Sequence, residues 1–107
     1  IDLQIKLNGY RIEIGDIESS ILKNEIVSAC AVIPRINSGK VKSLAGVVVL
    51  TDVNIEKSAA EEKIISELKK LVPPYMIPQN YIFLNVIPMT DNGKVDRKKL
   101  ISIIEEN

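Results

Sequence analysis

On either side of Asn8-Gly9 the chain alternates apolar and polar side chains: Leu3, Ile5 and Leu7, then Tyr10, Ile12 and Ile14, with Gln4, Lys6, Arg11 and Glu13 between them. A period of two marks a half-buried strand, and Asn8-Gly9 at the centre tolerates the positive φ that a two-residue hairpin turn requires. The spacing predicts a β-hairpin over 2–14. It sets Leu7 across from Tyr10, Ile5 across from Ile12 and Leu3 across from Ile14 on one face. The other face pairs Lys6 with Arg11 and Gln4 with Glu13. Gly15-Asp16 ends the hairpin, and Asp16 is the expected N-cap of a short helix lined by Ile17, Ile21 and Leu22. Residues 27–33 read as a strand stopped by Pro34, residues 37–40 as a loop, and the apolar run 44–50 as a central strand. Ser58 and Glu61 have capping-box spacing. Ala60, Ile64, Leu68 and Leu71 then recur at helical intervals until Pro73-Pro74. Residues 81–86 form a third predicted strand and 88–95 a turn-rich loop. Asp96 caps a last helix with Leu100, Ile103 and Ile104 inward. The order ββ-α-β-β-α-β-α gives an α+β domain: an N-terminal hairpin, a central, mainly antiparallel three-stranded sheet and about three helices, all one unit over 1–107.

Charge changes little in this picture. Fourteen basic and fourteen acidic residues cancel, so no polyanion-binding surface covers the domain, and no nucleic-acid partner is expected. The chain has no histidine, which removes the usual general base near neutral pH and the commonest transition-metal ligand. A single cysteine, Cys30, can form no internal disulfide and no zinc cluster, so no metal site is assigned. The most apolar stretch is far too short to span a bilayer, no signal peptide is visible, and a cytoplasmic location is expected. Because the chain opens on Ile1 with the alternation already running, it reads as a piece of a longer protein.

Three places could carry chemistry. At the hairpin tip Lys6 and Arg11 lie across from each other, a like-charge pair that would suit an anion; on spacing alone it reads as solvated, with Glu13 relieving it diagonally. In the loop 88–95, Lys94 follows Asp91-Asn92-Gly93 and can reach a neighbouring site to stabilise developing negative charge. The run Lys94, Arg97, Lys98 and Lys99 lacks interleaved aromatics and reads as a solvated basic face. Cys30 is read as an inert packed thiol and Tyr75 as a packing residue.

Taken together, three segments resemble one family. Residues 1–18, with Gln4-Ile-Lys-Leu-Asn-Gly-Tyr-Arg11, resemble the hinge and hairpin motif of adenylate-forming ligases. This superfamily includes acyl-CoA synthetases and nonribosomal peptide synthetase adenylation domains. Leu71-Val-Pro-Pro-Tyr-Met-Ile-Pro78 resembles the segment before their last strand, and Pro88-Met-Thr-Asp-Asn-Gly-Lys-Val-Asp-Arg-Lys-Lys-Leu100 their terminal lysine motif. The resemblance spans essentially the whole chain. It implies a C-terminal lid subdomain whose larger N-terminal domain, outside this chain, binds most of the ATP, Mg2+ and substrate. It assigns Lys94, preceded by Gly93, to adenylate formation. Gly9 and Asn8 fall at the channel for a phosphopantetheine thiol, Arg11 and Lys6 on the nucleotide and substrate side, and Asp2 at the hinge. The implied partners are the N-terminal domain, an amino acid substrate and an acyl or peptidyl carrier protein that supplies phosphopantetheine.

Within the superfamily the wording is similar to amino-acid-activating members, both D-alanine–D-alanyl carrier protein ligases and peptide synthetase adenylation domains; an acyl-CoA ligase is a further alternative. The chain departs from the D-alanine pattern at Gly15-Asp16, where two acidic residues are expected, and in the loop 35–43, which lacks a tyrosine. From another class, the same residues could make a non-catalytic phosphate-binding or protein-interaction module.

Overall fold

Residues 4–106 are described by a computed structural model. Strands β1 (Gln4–Leu7) and β2 (Tyr10–Glu13) form the hairpin, and α1 (Ile14–Leu22) follows it directly. Strands β3 (Val27–Asn37) and β4 (Lys40–Leu50), helix α2 (Lys57–Leu71), a 3-10 turn at Pro74–Met76, strand β5 (Asn80–Phe83) and helix α3 (Arg97–Glu106) complete the chain.

The sheet order β3-β4-β5 puts the apolar run in the centre, as its composition requires. Its two faces are covered separately. Val32, Leu44 and Val48 pack with Leu7 and Ile12 of the hairpin, Ile14, Ile17 and Ile21 of α1, and Ala60, Ile64 and Leu68 of α2. Ala31, Ile33, Ala45 and Val47 face the other way, onto Leu100 and Ile104 of α3 and onto Ile87. Successive strand residues therefore serve opposite cores, which is why 44–50 is apolar without alternation.

The hairpin register is as expected, with Leu7 across from Tyr10, Ile5 from Ile12, Lys6 from Arg11 and Gln4 from Glu13. The pairing expected for Leu3 lies outside the described residues. Ile14 has already left the strand: α1 begins there, Glu13 stands at its N-cap, and Asp16 lies in the first turn, where its charge meets the positive end of the helix. Likewise α2 starts at Lys57 with Glu56 at the cap, and the Ser58 hydroxyl donates to the Glu56 carboxylate rather than reaching forward to close a box with Glu61.

Pro34 does not stop β3. The strand continues to Asn37, with Pro34 paired to Leu44. An edge strand can carry a proline wherever the missing N–H would point away from the ladder. The sheet is mainly antiparallel, as expected, through the long pairing of β3 with β4; the short β5 runs parallel to β4. Helix α2 is the reason, since a helical crossover returns the chain to begin a strand in the same direction. Gly46, opposite Tyr81, leaves room for the tyrosine ring, since a Cβ there would stand 3.0 Å from two of its ring carbons and push the ring aside.

Candidate functional site

At the hairpin tip Asn8 and Gly9 adopt φ of 53° and 85°, as a two-residue turn with positive φ at both positions requires. No atom lies within 4 Å of where a Gly9 Cβ would be, so the glycine serves the backbone conformation and leaves the tip open to close approach. Leu7 and Ile12 root the tip in the core. Tyr10, expected on the buried face, is 50% exposed because its ring stacks on Tyr75 instead, with centroids 3.9 Å apart and planes at 10°. Tyr75 thus packs, as expected, and its partner is the hairpin.

Lys6 and Arg11 are direct cross-strand neighbours. Glu13 does not neutralise them; its Oε1 accepts from Gln4 Nε2 at 2.9 Å. Lys6, Asn8 and Gly9 also line an open cleft of about 650 Å³ whose far wall is Gly39, Lys40, Val41 and Lys42, at the turn between β3 and β4.

Lys94 is exposed on a turn that closes on itself. Thr90 N–H donates to the Lys94 carbonyl at 2.7 Å and Gly93 N–H to the Thr90 carbonyl at 3.0 Å. Lys94 N–H donates to Thr90 Oγ1 at 3.3 Å. Met89 and Val95 form a bridge below it, and Asp96 N–H donates to the Pro88 carbonyl at 2.9 Å. Gly93, at φ of 78°, turns the chain. Asp96 then caps α3 through Lys99 N–H, 3.1 Å from Oδ1, as the sequence indicated. The exposed lysine is the outward point of an ordered structure, and no ion pair to it is found among the described residues.

The basic run beyond Lys94 divides. Arg97 is not solvated: its Nη1 donates to the Val32 carbonyl at 3.1 Å and its Nη2 lies 3.4 Å from Glu18 Oε2. The same Glu18 oxygen accepts the Val32 N–H at 2.8 Å. One ion pair therefore satisfies both outward-facing backbone groups of Val32 on the open edge of β3, in the place of a neighbouring strand. No local pattern marks this arrangement, because its partners are 79 residues apart. Cys30 sits close by, its Sγ 3.5 Å from the Glu18 carbonyl. Burial, and secondarily the Glu18 charge, push its thiol from an ordinary 9.0 up to about 12, consistent with an unreactive thiol.

The structure thus gathers Lys6, Asn8, Gly9 and Arg11 at one tip and holds Gly93 and Lys94 on a separate turn that does not line the same cleft. Asp2 lies outside the described residues. Lys40 and Lys42 were not singled out in sequence; their proximity to the hairpin tip is a product of tertiary folding. Among the described residues no group of three or more acidic, cysteine or histidine side chains is arranged to hold a metal ion, and no helix is long and apolar enough to cross a membrane.

Residues 16–94 match the family model described as AMP-binding enzyme C-terminal domain. A D-alanine--D-alanyl carrier protein ligase of Listeria monocytogenes serotype 4a is 42% identical over 107 residues, 99% of this chain and 21% of the relative. One from Staphylococcus aureus strain JH9 is 39% identical over 104 residues, 97% of this chain and 21% of the relative. Among solved structures, an acyl-CoA synthetase of Brucella canis superposes with a TM-score of 0.83 at 27% identity, covering 98% of this chain and 19% of that one. The chain spans about a fifth of the length of these ligases. With the hairpin, the three-stranded sheet and the lysine loop in the order that the sequence indicated, this chain belongs to the AMP-binding enzyme C-terminal domain family, the C-terminal domain of adenylate-forming ligases.

Proposed function

We propose that this domain is the mobile lid of a cytoplasmic ligase that adenylates an amino acid, D-alanine being the first candidate, and passes it to the phosphopantetheine thiol of a carrier protein. The observation that carries the reading is the pair of exposed cationic turns on one domain that is homologous along its whole length to D-alanine--D-alanyl carrier protein ligases. Each turn is too small to be an active site, and each suits insertion into one formed elsewhere.

Lys94 offers a positive charge with no carboxylate partner among the described residues, which fits an acyl carboxylate or phosphate oxygen of ATP. Mg2+ and most of the nucleotide would be held by the larger domain, as the family resemblance implies. The open backbone at Gly9 suits the passage of a pantetheine thiol, with Arg11 and Lys6 behind it on the substrate side. Asp2 is the proposed hinge. Because the Lys94 turn is closed by its own hydrogen bonds, exchanging one tip for the other between half-reactions would be a rotation of the whole domain.

The test is amino-acid-dependent ATP–pyrophosphate exchange by the full-length protein, across D-alanine and the common L-amino acids. Exchange with D-alanine is expected. Exchange with a different amino acid alone would keep the chemistry and overturn the D-alanine assignment. Lys94→Ala should lower exchange by about 10²–10³-fold, the size of a lost charge-stabilising contact, while leaving thiol transfer from preformed adenylate far less affected. Equal loss of both half-reactions would remove Lys94 from its role.

A further inference from the structure

The two exposed turns are rooted on opposite faces of the sheet. The first hairpin runs into α1 with no intervening loop, and α1 buries Ile14, Ile17 and Ile21 in the core on one face. The Lys94 turn runs into α3 with only Val95 and Asp96 between, and α3 buries Leu100 and Ile104 in the core on the other face. Apolar packing therefore holds each helix to the sheet without fixing one helix to the other.

Glu18 and Arg97 bridge that separation around the open edge of β3. Glu18 comes from the middle of α1, and Arg97, the first residue of α3, comes from the other face. They meet at 3.4 Å and hold the same main-chain residue: Val32 N–H donates to Glu18 Oε2 at 2.8 Å, and Arg97 Nη1 donates to the Val32 carbonyl at 3.1 Å. Their side chains are 22% and 27% exposed, against 84% and 44% for Glu25 and Lys63, so this pair is the less screened of the two. Helix chemistry gives no reason for the arginine. A cation in the first turn opposes the macrodipole, and Asp96 already caps α3 through Lys99 N–H. The Asp96 N–H also closes the base of the Lys94 turn on the Pro88 carbonyl, so Arg97 stands one residue beyond the bond where turn and helix join.

We propose that Glu18 and Arg97 are positioning residues for adenylation, whose clamp on Val32 fixes where the Lys94 turn stands relative to α1 and its hairpin. The proposal rests on the ligase reading, in which both tips ride on one rotating body. A charge delivered by a rotating body reaches its target only if its base does not swivel, since small misplacements are costly in rate. Without the clamp the turn keeps its shape, which its own main-chain bonds hold, but loses its aim. The hairpin, rooted through Leu7 and Ile12, does not depend on it.

The experiment uses the full-length protein, ATP and the amino acid that supports exchange in the wild type. Arg97→Gln, Glu18→Gln and Arg97→Lys are measured alone and combined with Lys94→Ala. The two readouts are pyrophosphate exchange at saturating substrates and thiol transfer from preformed adenylate to pantetheine. Arg97→Gln should slow exchange by about tenfold, within the roughly 10²-fold that a misplacement of about 1 Å can cost, and leave transfer near wild type. Glu18→Gln should act in the same direction, and Arg97→Lys, which keeps the charge and its donors, should recover most of the rate. In the Lys94→Ala background Arg97→Gln should slow exchange no further, because it acts only through Lys94. Should Arg97→Gln not fold, Glu18→Gln, which keeps an acceptor for Val32 N–H, gives the same two comparisons. Wild-type exchange in both glutamine variants, equal loss in both half-reactions, or a full additional loss without Lys94 would overturn the positioning role and leave the ligase reading intact. No exchange by the wild-type protein with any amino acid would overturn the ligase reading, and this role with it.

Discussion

The two exposed turns of this domain end in the same way, with a positive-φ glycine beside a cation, yet they are held by different forces. The Asn8-Gly9 tip is held from beneath. Leu7 and Ile12 are core residues, and Tyr10 lies flat on Tyr75 from a distant part of the chain. The Lys94 turn is held from within, by main-chain bonds between Thr90 and Lys94, from Gly93 to Thr90, and from Asp96 to Pro88. The first turn inherits its position from the core. The second carries its own shape and needs the core only at its base, where Ile87 is buried and Val95 packs against α3's core. A functional side chain can be presented by either route, but damage spreads differently in the two.

Ile12→Ala should make the largest difference. Ile12 is fully buried where the hairpin meets α1 and α2, and truncating such a residue costs about 2–5 kcal/mol. Chemical denaturation should show that loss. Hydrogen exchange should show protection falling across β1 and β2 while amides in 88–96 keep theirs relative to global unfolding. Equal, selective loosening of both turns would mean that they share one support and that the contrast is false.

Tyr75→Leu sharpens the comparison with a smaller effect. It retains apolar bulk and removes the ring stack, which is worth about 0.5–1.5 kcal/mol beyond buried area. The expected result is a modest fall in denaturation midpoint and a mobile Tyr10 ring by NMR, with the Lys94 turn unchanged. If Tyr10 keeps its ring environment, the hairpin is positioned by Leu7 and Ile12 alone.

The same contrast explains how much was legible in the sequence. The hairpin register could be worked out on paper because a two-residue turn and a period of two leave no freedom. Asp96 as the α3 cap was equally local. What sequence missed is built across distance. Arg97 looked solvated because it stands among lysines, and nothing near it announces Glu18 or the open edge at Val32. Pro34 looked like a stop because a proline's tolerance depends on whether its strand is an edge, which is a property of the sheet. The parallel direction of β5 follows from a crossover helix whose geometry no residue of β5 records. In the candidate site, the lysine turn and the hairpin tip were visible as motifs, whereas the lysines facing that tip from the second hairpin were not.

The smallest expected effect tests the self-contained turn. Thr90 Oγ1 accepts the Lys94 N–H at 3.3 Å, a long bond in an exposed place, while Thr90's own N–H and carbonyl make the two shorter main-chain bonds. Thr90→Val removes only the side-chain acceptor and leaves a β-branched residue of similar shape. The Lys94 amide can then turn to water, so the stability cost should stay below about 1 kcal/mol. If the turn is held by its main chain, the Thr90 and Gly93 amides should remain protected from exchange while that of Lys94 exchanges faster. Loss of protection at all three would show that the hydroxyl organises the turn, and that Lys94 is presented by one side chain rather than by the fold of its own backbone.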